Sequence, residues 1–436
     1  MTTVLIGIIG LIGFLFLLFL GMPVAISMLT VGVFGSMFLV RTPKAAFSIL
    51  SDSFLTNFTS YTSAVAPMFM LMGDLAGESG LGSDLFSAAQ KLIGHKRGGL
   101  ASAVQAVCAL FGAICGAAAA TAAMMGRVAY PEMKKHGYRD DLSTACIASG
   151  SSLSILIPPS LPLITYGIAT EESIGQLFMA GIIVGVVLML LFILTISIWA
   201  HFDKSIADVT EKATFQEKWQ AVRKGGFIEL VLVFLLAMGG LFAGWFTPTE
   251  AGAVGIGGML LVCILFKRFS LKVLIKALEN TVVMTGMIYL LLAGSTAYGR
   301  FFTLSRIPQT LGAWVAGLDV SPFFVIVCIT ILYLILGCVI DALPLMLLTT
   351  PIFYPIVTDL GYSGLWFGAF IVVVISMGSV TPPVGMSCYI VSGVCKDVPL
   401  QTIFKGAWPF VAAFVVMCIL LALFPQIATW LPSVVA

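Results

Sequence analysis

Two proline pairs, each flanked by hydroxyl side chains, interrupt apolar segments that otherwise have the composition of membrane helices. They are Pro158–Pro159 in SSLSILIPPSLPL and Pro382–Pro383 in SMGSVTPPVGM. Because proline lacks a backbone N–H and disfavours helix at the preceding residue, each pair frees carbonyl groups, which in lipid must be satisfied by protein, water or a ligand. The flanking hydroxyls belong to Ser149, Ser151, Ser152 and Ser154, and to Ser376, Ser379 and Thr381. Carbonyl and hydroxyl oxygens are hard ligands, so the sequence predicts sodium binding at both breaks.

Each break is preceded by a long apolar segment with small or polar residues at its midpoint. The first midpoint is GAICGAAAAT, Gly112 to Thr121, and the second is GCVIDALP, Gly337 to Pro344, which contains Asp341. This arrangement suits a re-entrant hairpin whose tip faces the break that follows. An acid inside an apolar segment is costly and is a functional candidate. We expect Asp341 to bind a cation or contact the solute, because no basic residue lies nearby in sequence to form a structural ion pair.

The same residues have simpler explanations. The prolines could produce structural kinks, and each Ser or Thr could bond its own helix backbone or a neighbouring helix. Two breaks with the same surroundings favour paired sites over kinks, whereas the role of each single hydroxyl stays open. Helix N-termini directed at the centre would favour a negatively charged solute. Arg127 is the basic residue nearest the first midpoint, and we expect it to anchor the hairpin at the inner membrane surface.

The composition is that of an all-α polytopic membrane protein. Of the 436 residues, 60% are hydrophobic and 10% are charged, and the mean hydropathy is +1.10, which leaves too little polar surface for a water-soluble globule. Apolar runs of roughly 20 residues recur about ten times, without β-barrel alternation. We expect the first run, 4–20, to be a retained span and not a signal peptide. The nine cysteines form no CxxC pair and predict apolar packing, not a metal site.

A repeat with an offset of 224 residues divides the chain into two halves. Three dipeptides recur without a gap: Tyr130-Pro131 as Tyr354-Pro355, Gly137-Tyr138 as Gly361-Tyr362, and the first proline pair as the second. The predicted halves are 1–202 and 226–436, joined by a polar linker, 203–225. Each half is expected to contain scaffold helices, a hairpin (about 98–126 and about 321–352) and a broken helix (about 142–168 and about 363–391).

The basic residues give the predicted topology. On the expected path, 18 of the chain's 22 Lys and Arg residues lie inside. They comprise seven before Leu142, five in the linker, four in 267–276 and two near the C-terminus. Only Arg41, Lys44, Arg300 and Arg306 lie outside. The positive-inside rule therefore selects a cytoplasmic linker with both termini outside. The halves then have opposite orientations, and an inverted repeat of this kind is typical of alternating-access transporters.

Four sequence blocks resemble the large membrane subunit of tripartite ATP-independent periplasmic (TRAP) transporters, in the ion-transporter superfamily. They are SGSSLSILIPPSLPLITYG, GSVTPPVGMSCYIVSGV, GWFTPTEAGAVG and KGAWPF. The resemblance covers essentially the whole chain and implies a multi-pass protein of the bacterial inner membrane, whose termini the charge distribution places on the periplasmic side. It also implies a small four-helix membrane subunit and a periplasmic binding protein as partners, an organic acid anion as solute, and an elevator in which a transport domain slides against a scaffold.

The resemblance further implies where sodium and solute bind. Sodium would lie between each hairpin tip and its broken helix, and the solute between the two halves. The sodium candidates are Gly112, Gly116, Thr121, Ser149, Ser152, Ser154, Gly337, Asp341, Ser376, Ser379 and Thr381. The solute candidates are Asp341, Ser154, Pro158, Pro159, Pro382 and Pro383. Sodium is the coupling ion, and no other metal or cofactor is expected.

Together these observations predict sodium-coupled import of an organic acid anion as a permease subunit. The alternative within the superfamily is a stand-alone sodium/carboxylate transporter that needs no binding protein. A channel is a further alternative, which concentrative uptake would exclude. An enzyme is not expected, because the sequence contains no HExxH motif and no nucleotide-binding loop, and no nucleic acid is expected as a partner. The solute stays open among C4-dicarboxylates, sialic acids, other sugar acids and sulfonates.

Overall fold

The computed structural model describes residues 3–203, 205, 214–224, 227–317 and 321–435. These residues form helices and connecting loops, with no strand among them, so the predicted all-α membrane-type fold is confirmed. The helices of the first half are α1 (Thr3–Phe19), α2 (Val24–Val40), α3 (Pro43–Thr59), α4 (Val65–Glu78), α5 (Leu81–Ile93), α6 (Gly99–Cys115), α7 (Ala118–Lys135), α8 (Asp140–Ser151), α9 (Leu161–Thr170) and α10 (Ile174–Phe202), with short 3-10 turns at Thr62–Ala64 and Ser152–Ile155.

The remaining helices follow the linker region. They are α11 (Phe215–Lys224), α12 (Phe227–Phe242), α13 (Pro248–Leu265), α14 (Leu271–Ser305), α15 (Ile307–Gly317), α16 (Pro322–Gly337), α17 (Ala342–Asp359), α18 (Gly364–Val380), α19 (Met386–Val394), α20 (Leu400–Leu423) and α21 (Gln426–Val435). Positions 204, 206–213 and 225 of the predicted linker lie outside the described residues. Its described part includes α11, a short polar helix.

Local sequence signals set where several helices begin. Thr247 and Glu250 form a reciprocal capping box at α13, with Pro248 at the first helical position. Ser173 caps α10 through the N–H of Gln176. These residues satisfy backbone N–H groups that have no partner inside the helix.

Five helices of the described chain are long and apolar enough to cross a bilayer: α10, α13, α14, α17 and α20. Seven further apolar helices have 10–17 residues, because breaks and turns divide the apolar runs. Large apolar side chains face outward; Phe19 is 95% exposed and Phe202 is 84% exposed. Such a surface is stable in lipid and not in water.

The first hairpin consists of α6 and α7, and the turn between them lies at Gly116 and Ala117. Gly116 adopts a φ of +64°, which glycine tolerates without a Cβ penalty, and its N–H donates to the carbonyl of Gly112 at 2.9 Å. The first broken helix consists of α8, the 3-10 turn and α9. Ser160 begins α9 by accepting a hydrogen bond from the N–H of Leu163 at 3.3 Å.

The second hairpin consists of α16 and α17, with its tip at 338–341, and the second broken helix consists of α18 and α19. Gly385, at a φ of +57°, precedes α19. Both hairpins extend beyond the ends expected from hydropathy, 126 and 352, because α7 continues to Lys135 and α17 to Asp359. Each contains an internal proline of the repeated Tyr-Pro dipeptide, Pro131 in α7 and Pro355 in α17.

The two halves of the chain pack across each other. α7 packs on α19, and α17 packs on α9, so the outgoing arm of each hairpin contacts the broken helix of the opposite half. Around this centre, the long helix α14 packs on α2, α3 and α4. Hydropathy did not indicate α3, because its polar residues, including Asp52 and Asn57, lower the apolar content of that segment.

Candidate cation and solute sites

The first hairpin and the first broken helix meet at a tight contact, which we call the first junction (Gly112, Gly116, Thr121, Ser154 and Pro159). A Cβ placed on Gly112 would lie 2.5 Å from Ser154 Cα, and one on Gly116 would lie 2.4 Å from the carbonyl oxygen of Pro159. Contacts this short are possible only without side chains. The small residues of the hairpin therefore bring its backbone directly against the break.

A hydrogen-bond chain crosses the first junction. The Ser154 hydroxyl donates to Thr121 Oγ1 at 2.8 Å, and the Thr121 hydroxyl donates to the carbonyl of Ala117 at 3.0 Å. Both side chains are fully buried. A hydroxyl that donates its only hydrogen keeps acceptor lone pairs, so this chain is compatible with cation binding by the same oxygens.

The other first-half hydroxyls bond to the backbone of their own helix, which is the simpler role that the sequence also allowed. Ser149 donates to the carbonyl of Ala145 at 2.8 Å, and Ser152 donates to that of Ser149 at 2.5 Å. In the described part of the chain, neither side chain forms a hydrogen bond to the hairpin tip. The structure therefore brings Ser154 to the hairpin, whereas Ser149 and Ser152 lie along the broken helix itself.

The second hairpin and the second broken helix meet at the second junction (Gly337, Cys338, Gly378, Pro382 and Gly385). A Cβ on Gly378 would lie 2.7 Å from the carbonyl carbon of Gly337. The Gly385 N–H donates to the carbonyl of Cys338 at 3.1 Å, and the Cys338 thiol lies 3.5 Å from the carbonyl oxygen of Pro382. One carbonyl freed at each proline pair thus lies against its hairpin tip.

Second-half hydroxyls also bond backward along their helix. Ser376, Ser379 and Thr381 donate to carbonyls three or four residues earlier, at 2.6, 2.8 and 2.6 Å respectively. The Ser387 hydroxyl, from α19, reaches Ser379 Oγ at 3.2 Å and so connects the two segments of the second broken helix.

Asp341 is the last residue of the second hairpin tip and directly precedes α17. The residue as a whole is exposed, and its side chain makes no capping hydrogen bond to the helix that it precedes. Within the described ranges no basic side chain forms an ion pair with it. The carboxylate is therefore available to a cation or to a ligand that carries one.

Three residues that sequence reasoning missed contribute to the junctions. Gly378 is the counterpart of Ser154 at the 224-residue offset, so the repeat itself could have identified it. Cys338 provides a carbonyl and a thiol at the second junction. Gln105 of α6 is fully buried and donates to the carbonyl of Cys146 at 2.8 Å, which holds the first hairpin to α8. An amide side chain inside an apolar run is the sequence signal that could have identified Gln105.

A cavity of about 1300 Å³ opens elsewhere, between α3, α14, α17 and the loop after α9. Its lining includes Asn57, Arg300, Glu172 and Tyr354, and excludes Asp341 and the hydroxyls of both junctions. Arg300 contacts Asp52 there at 3.2 Å. This cavity is wide enough for a small organic solute, but it is separate from the predicted binding residues.

Residues 11–427 match the family model described as the tripartite ATP-independent periplasmic transporter, DctM component. The chain belongs to this family. It is thus a large permease component of a TRAP transporter and a multi-pass membrane protein, and its relatives are transporter permeases, not enzymes.

Characterised TRAP relatives with different solutes match it about equally well. The sialic acid TRAP transporter large permease protein SiaM of Vibrio cholerae is 31% identical, with 96% of each chain covered. The C4-dicarboxylate large permease DctM of Pseudomonas aeruginosa is 32% identical, with 91% of each covered. The ectoine large permease TeaC of Halomonas elongata is 30% identical, with 95% of this chain and 96% of that protein covered. These identities do not select one solute.

Among solved structures, the fold is similar to that of the YdaH transporter of Alcanivorax borkumensis. The TM-score is 0.66 at 18% identity, with 89% of this chain and 90% of that chain covered. Neisseria gonorrhoeae MtrF is similar at a TM-score of 0.58 and 13% identity, with 87% and 84% covered. At these identities the likeness concerns the fold alone.

Proposed function

We propose that this TRAP permease couples sodium entry to the import of an organic acid anion. The observation that carries the proposal is the pair of junctions, in which a hairpin tip made of small residues lies against carbonyls and hydroxyls of a broken helix. Oxygen atoms without a cationic partner, held inside a membrane protein, suit a weakly charged hard cation. The first junction, with Ser154 and Thr121, is the clearer of the two cation sites.

Asp341 gives a physical reason for coupling. A carboxylate at the second junction repels an anionic solute, so the solute can bind beside it only if a cation lies between the two. Sodium bound by Asp341 and by backbone carbonyls near Pro382 would satisfy both charges. The solute would then bind only to the sodium-loaded protein, which is the requirement for symport.

Assembly and location form the second part of the proposal. The protein would lie in the bacterial inner membrane with both termini periplasmic, together with a small four-helix subunit, and would receive its solute from a periplasmic binding protein. The hairpins and broken helices would form a transport domain that moves as an elevator against the remaining helices. Relatives with 30–32% identity are named as transporters of sialic acid, C4-dicarboxylates and ectoine, which supports acids of these types as candidate solutes.

The test is uptake into proteoliposomes that contain the permease and its small subunit, with the cognate binding protein added outside. We expect concentrative uptake only with an inward sodium gradient and only with the loaded binding protein. Uptake that proceeds without sodium would contradict the coupling. Uptake by the permease alone would instead support the stand-alone carrier, and non-saturable flux would support a channel. A thermal-shift screen of the binding protein would identify the solute.

A further inference from the structure

Two tyrosine hydroxyls each connect a hairpin of one half of the chain to the broken helix of the other half. Tyr354, on α17, donates to Glu172 Oε1 at 2.8 Å, and Glu172 lies two residues beyond the end of α9. Tyr130, on α7, donates to Asp397 Oδ2 at 3.1 Å, and Asp397 follows α19. The partners are 182 and 267 residues apart in the chain, so only tertiary packing brings them together.

The two contacts occupy related positions. Tyr130 and Tyr354 belong to the dipeptide that recurs after 224 residues, and Glu172 is one position from the residue that corresponds to Asp397. The supporting helices pack in the same way, α7 on α19 and α17 on α9. One such contact could be incidental. Its recurrence at both places indicates a role that the two halves share.

The contacts differ in their surroundings. At the first, Lys134 forms an ion pair with Asp397 and donates to the Tyr130 hydroxyl at 3.2 Å. Lys134 and Asp397 are about half exposed, at 51% and 54%, so water and salt screen that ion pair. The single hydrogen of the Tyr130 hydroxyl is shared between Asp397 Oδ2 at 3.1 Å and Asp140 Oδ1 at 3.0 Å, so this contact also ties in the start of α8.

The second contact depends on close packing. A Cβ on Gly364 would lie 2.0 Å from Glu172 Oε1 and 2.8 Å from the Tyr354 ring, so the first residue of α18 leaves room for both side chains. Tyr166 of α9 donates to the Gly364 carbonyl at 2.8 Å, and its ring meets that of Tyr354 edge-on at 6.1 Å. Both broken helices and the second hairpin therefore meet at one point.

We propose that these contacts, the tyrosine clasps (Tyr130–Asp397 and Tyr354–Glu172), are positioning contacts that make the two hairpins and two broken helices move as one body. The inference rests on the proposed function. Each clasp crosses between halves, so a displacement of one junction is transmitted to the other. Sodium bound at the first junction can then affect the second, where the solute and Asp341 meet. Without a clasp, each junction would respond to sodium separately.

The transport test uses Tyr354→Phe, which removes the hydroxyl and keeps the ring. We expect maximal uptake to fall about threefold to tenfold, as for loss of one hydrogen bond, and the Hill coefficient for sodium to fall toward 1. Glu172→Gln keeps an acceptor for the Tyr354 hydroxyl and should keep nearly normal sodium cooperativity. In a Glu172→Ala background, Tyr354→Phe should have no further effect. Tyr289→Phe, on α14, is the matched control and should behave as wild type.

A purely stabilising role gives a different result. It would lower maximal uptake in proportion to the folded protein and leave the sodium curve unchanged, and that outcome would overturn the proposal.

Amide hydrogen exchange tests the clasps independently of transport. In the complete permease in lipid nanodiscs, Tyr354→Phe should speed exchange in both α9 and α17, and Tyr130→Phe should speed it in both α7 and α19. Faster exchange confined to the substituted helix, or no change, would contradict a clasp between halves. If wild-type uptake proves independent of sodium, the proposed coupling fails, and the exchange result still decides whether the clasps exist.

Discussion

The two junctions use the same backbone arrangement and differ in how closed they are. At the first, Gly112, Ser154, Thr121 and Pro159 are all buried, and a hydrogen-bond chain already occupies the contact. At the second, Gly337, Cys338, Gly378 and Gly385 are buried as well and Pro382 is half-buried, but the neighbouring Asp341 and Pro383 are exposed. The first junction is therefore a closed site made of neutral oxygens, whereas the second is open on one side, where Asp341 adds a charge.

This difference indicates a division of roles within the repeat. A closed neutral site can select a small ion, because it requires the ion to lose water and offers fixed oxygens in exchange. An open site beside a carboxylate can accept a larger solute together with a cation. We infer that the first junction mainly binds sodium and the second mainly joins sodium to the solute. The following substitutions test that division.

Replacing Asp341 should have the largest effect. Asp341→Ala removes the carboxylate beside the second junction, and we expect uptake to fall at least about 100-fold while insertion and assembly with the small subunit stay intact. Sodium-driven uptake measures transport, and size-exclusion chromatography measures assembly with the small subunit. Asp359→Asn, on the exposed end of the same helix, is the control and should keep normal uptake. Normal uptake by Asp341→Ala would refute the role of this carboxylate.

Glycine substitutions should separate the two hairpin tips. Gly112→Ala places a Cβ against the Ser154 backbone, and overpacking of this kind costs about 1–3 kcal/mol. We expect uptake to fall about tenfold and the Tm to fall. Gly337→Ala meets its nearest atoms at 3.5 Å, an ordinary contact, and should change uptake less than twofold.

The control for the glycine series is Gly286→Ala on α14, where no atom lies within 4 Å of the added Cβ. Because alanine favours helix over glycine, its Tm should be unchanged or slightly higher. Equal effects of Gly112→Ala and Gly337→Ala would show that the two tips are not packed differently.

Removing the buried hydroxyl of the first junction should weaken sodium binding. Ser154→Ala breaks the 2.8 Å bond to Thr121 and removes one candidate ligand, a change of about 1–3 kcal/mol. We expect the half-saturating sodium concentration to rise about tenfold, and only slightly further when Ser152, which bonds along its own helix, is also replaced. Ser197→Ala, an exposed serine bonded to its own helix, should leave it unchanged. An unaltered sodium titration of the double variant would count against these hydroxyls as ligands.

The smallest effect is expected from Ser379→Ala at the second junction. This hydroxyl is half-buried and meets Ser387 at a longer distance of 3.2 Å, so water can replace part of the interaction. We expect the sodium titration to shift less than threefold. A shift as large as that of Ser154→Ala would mean that the second junction binds sodium as tightly as the first.

Much of the architecture followed from local sequence. Apolar length predicted membrane helices and the proline pairs predicted breaks, whereas the division into two halves by the 224-residue repeat stays a prediction. The helix α3 was missed because Asp52 and Asn57 make it too polar for a hydropathy window, although Asn57 is buried and bonds to Thr296 at 2.9 Å. The inverted orientation of the halves and the elevator motion stay predictions.

Local sequence could not assign the hydroxyls. Ser149, Ser152 and Ser154 lie within six residues of one another, and only Ser154 reaches across to the hairpin. Where the helix tightens into a 3-10 turn and then stops, the 3.6-residue period no longer tells which side a residue faces. The direction of each side chain then depends on what packs against it.

The sequence by itself determined the class, the family resemblance, the two breaks and the acid beside the second one, because these depend on composition and on short-range backbone chemistry. Only the tertiary structure decided that the first junction is closed and the second open, and that Tyr130 and Tyr354 reach carboxylates in the opposite halves. The physical reason is that burial and long-range hydrogen bonds arise from the packing of helices that are far apart in the chain, which no local pattern specifies.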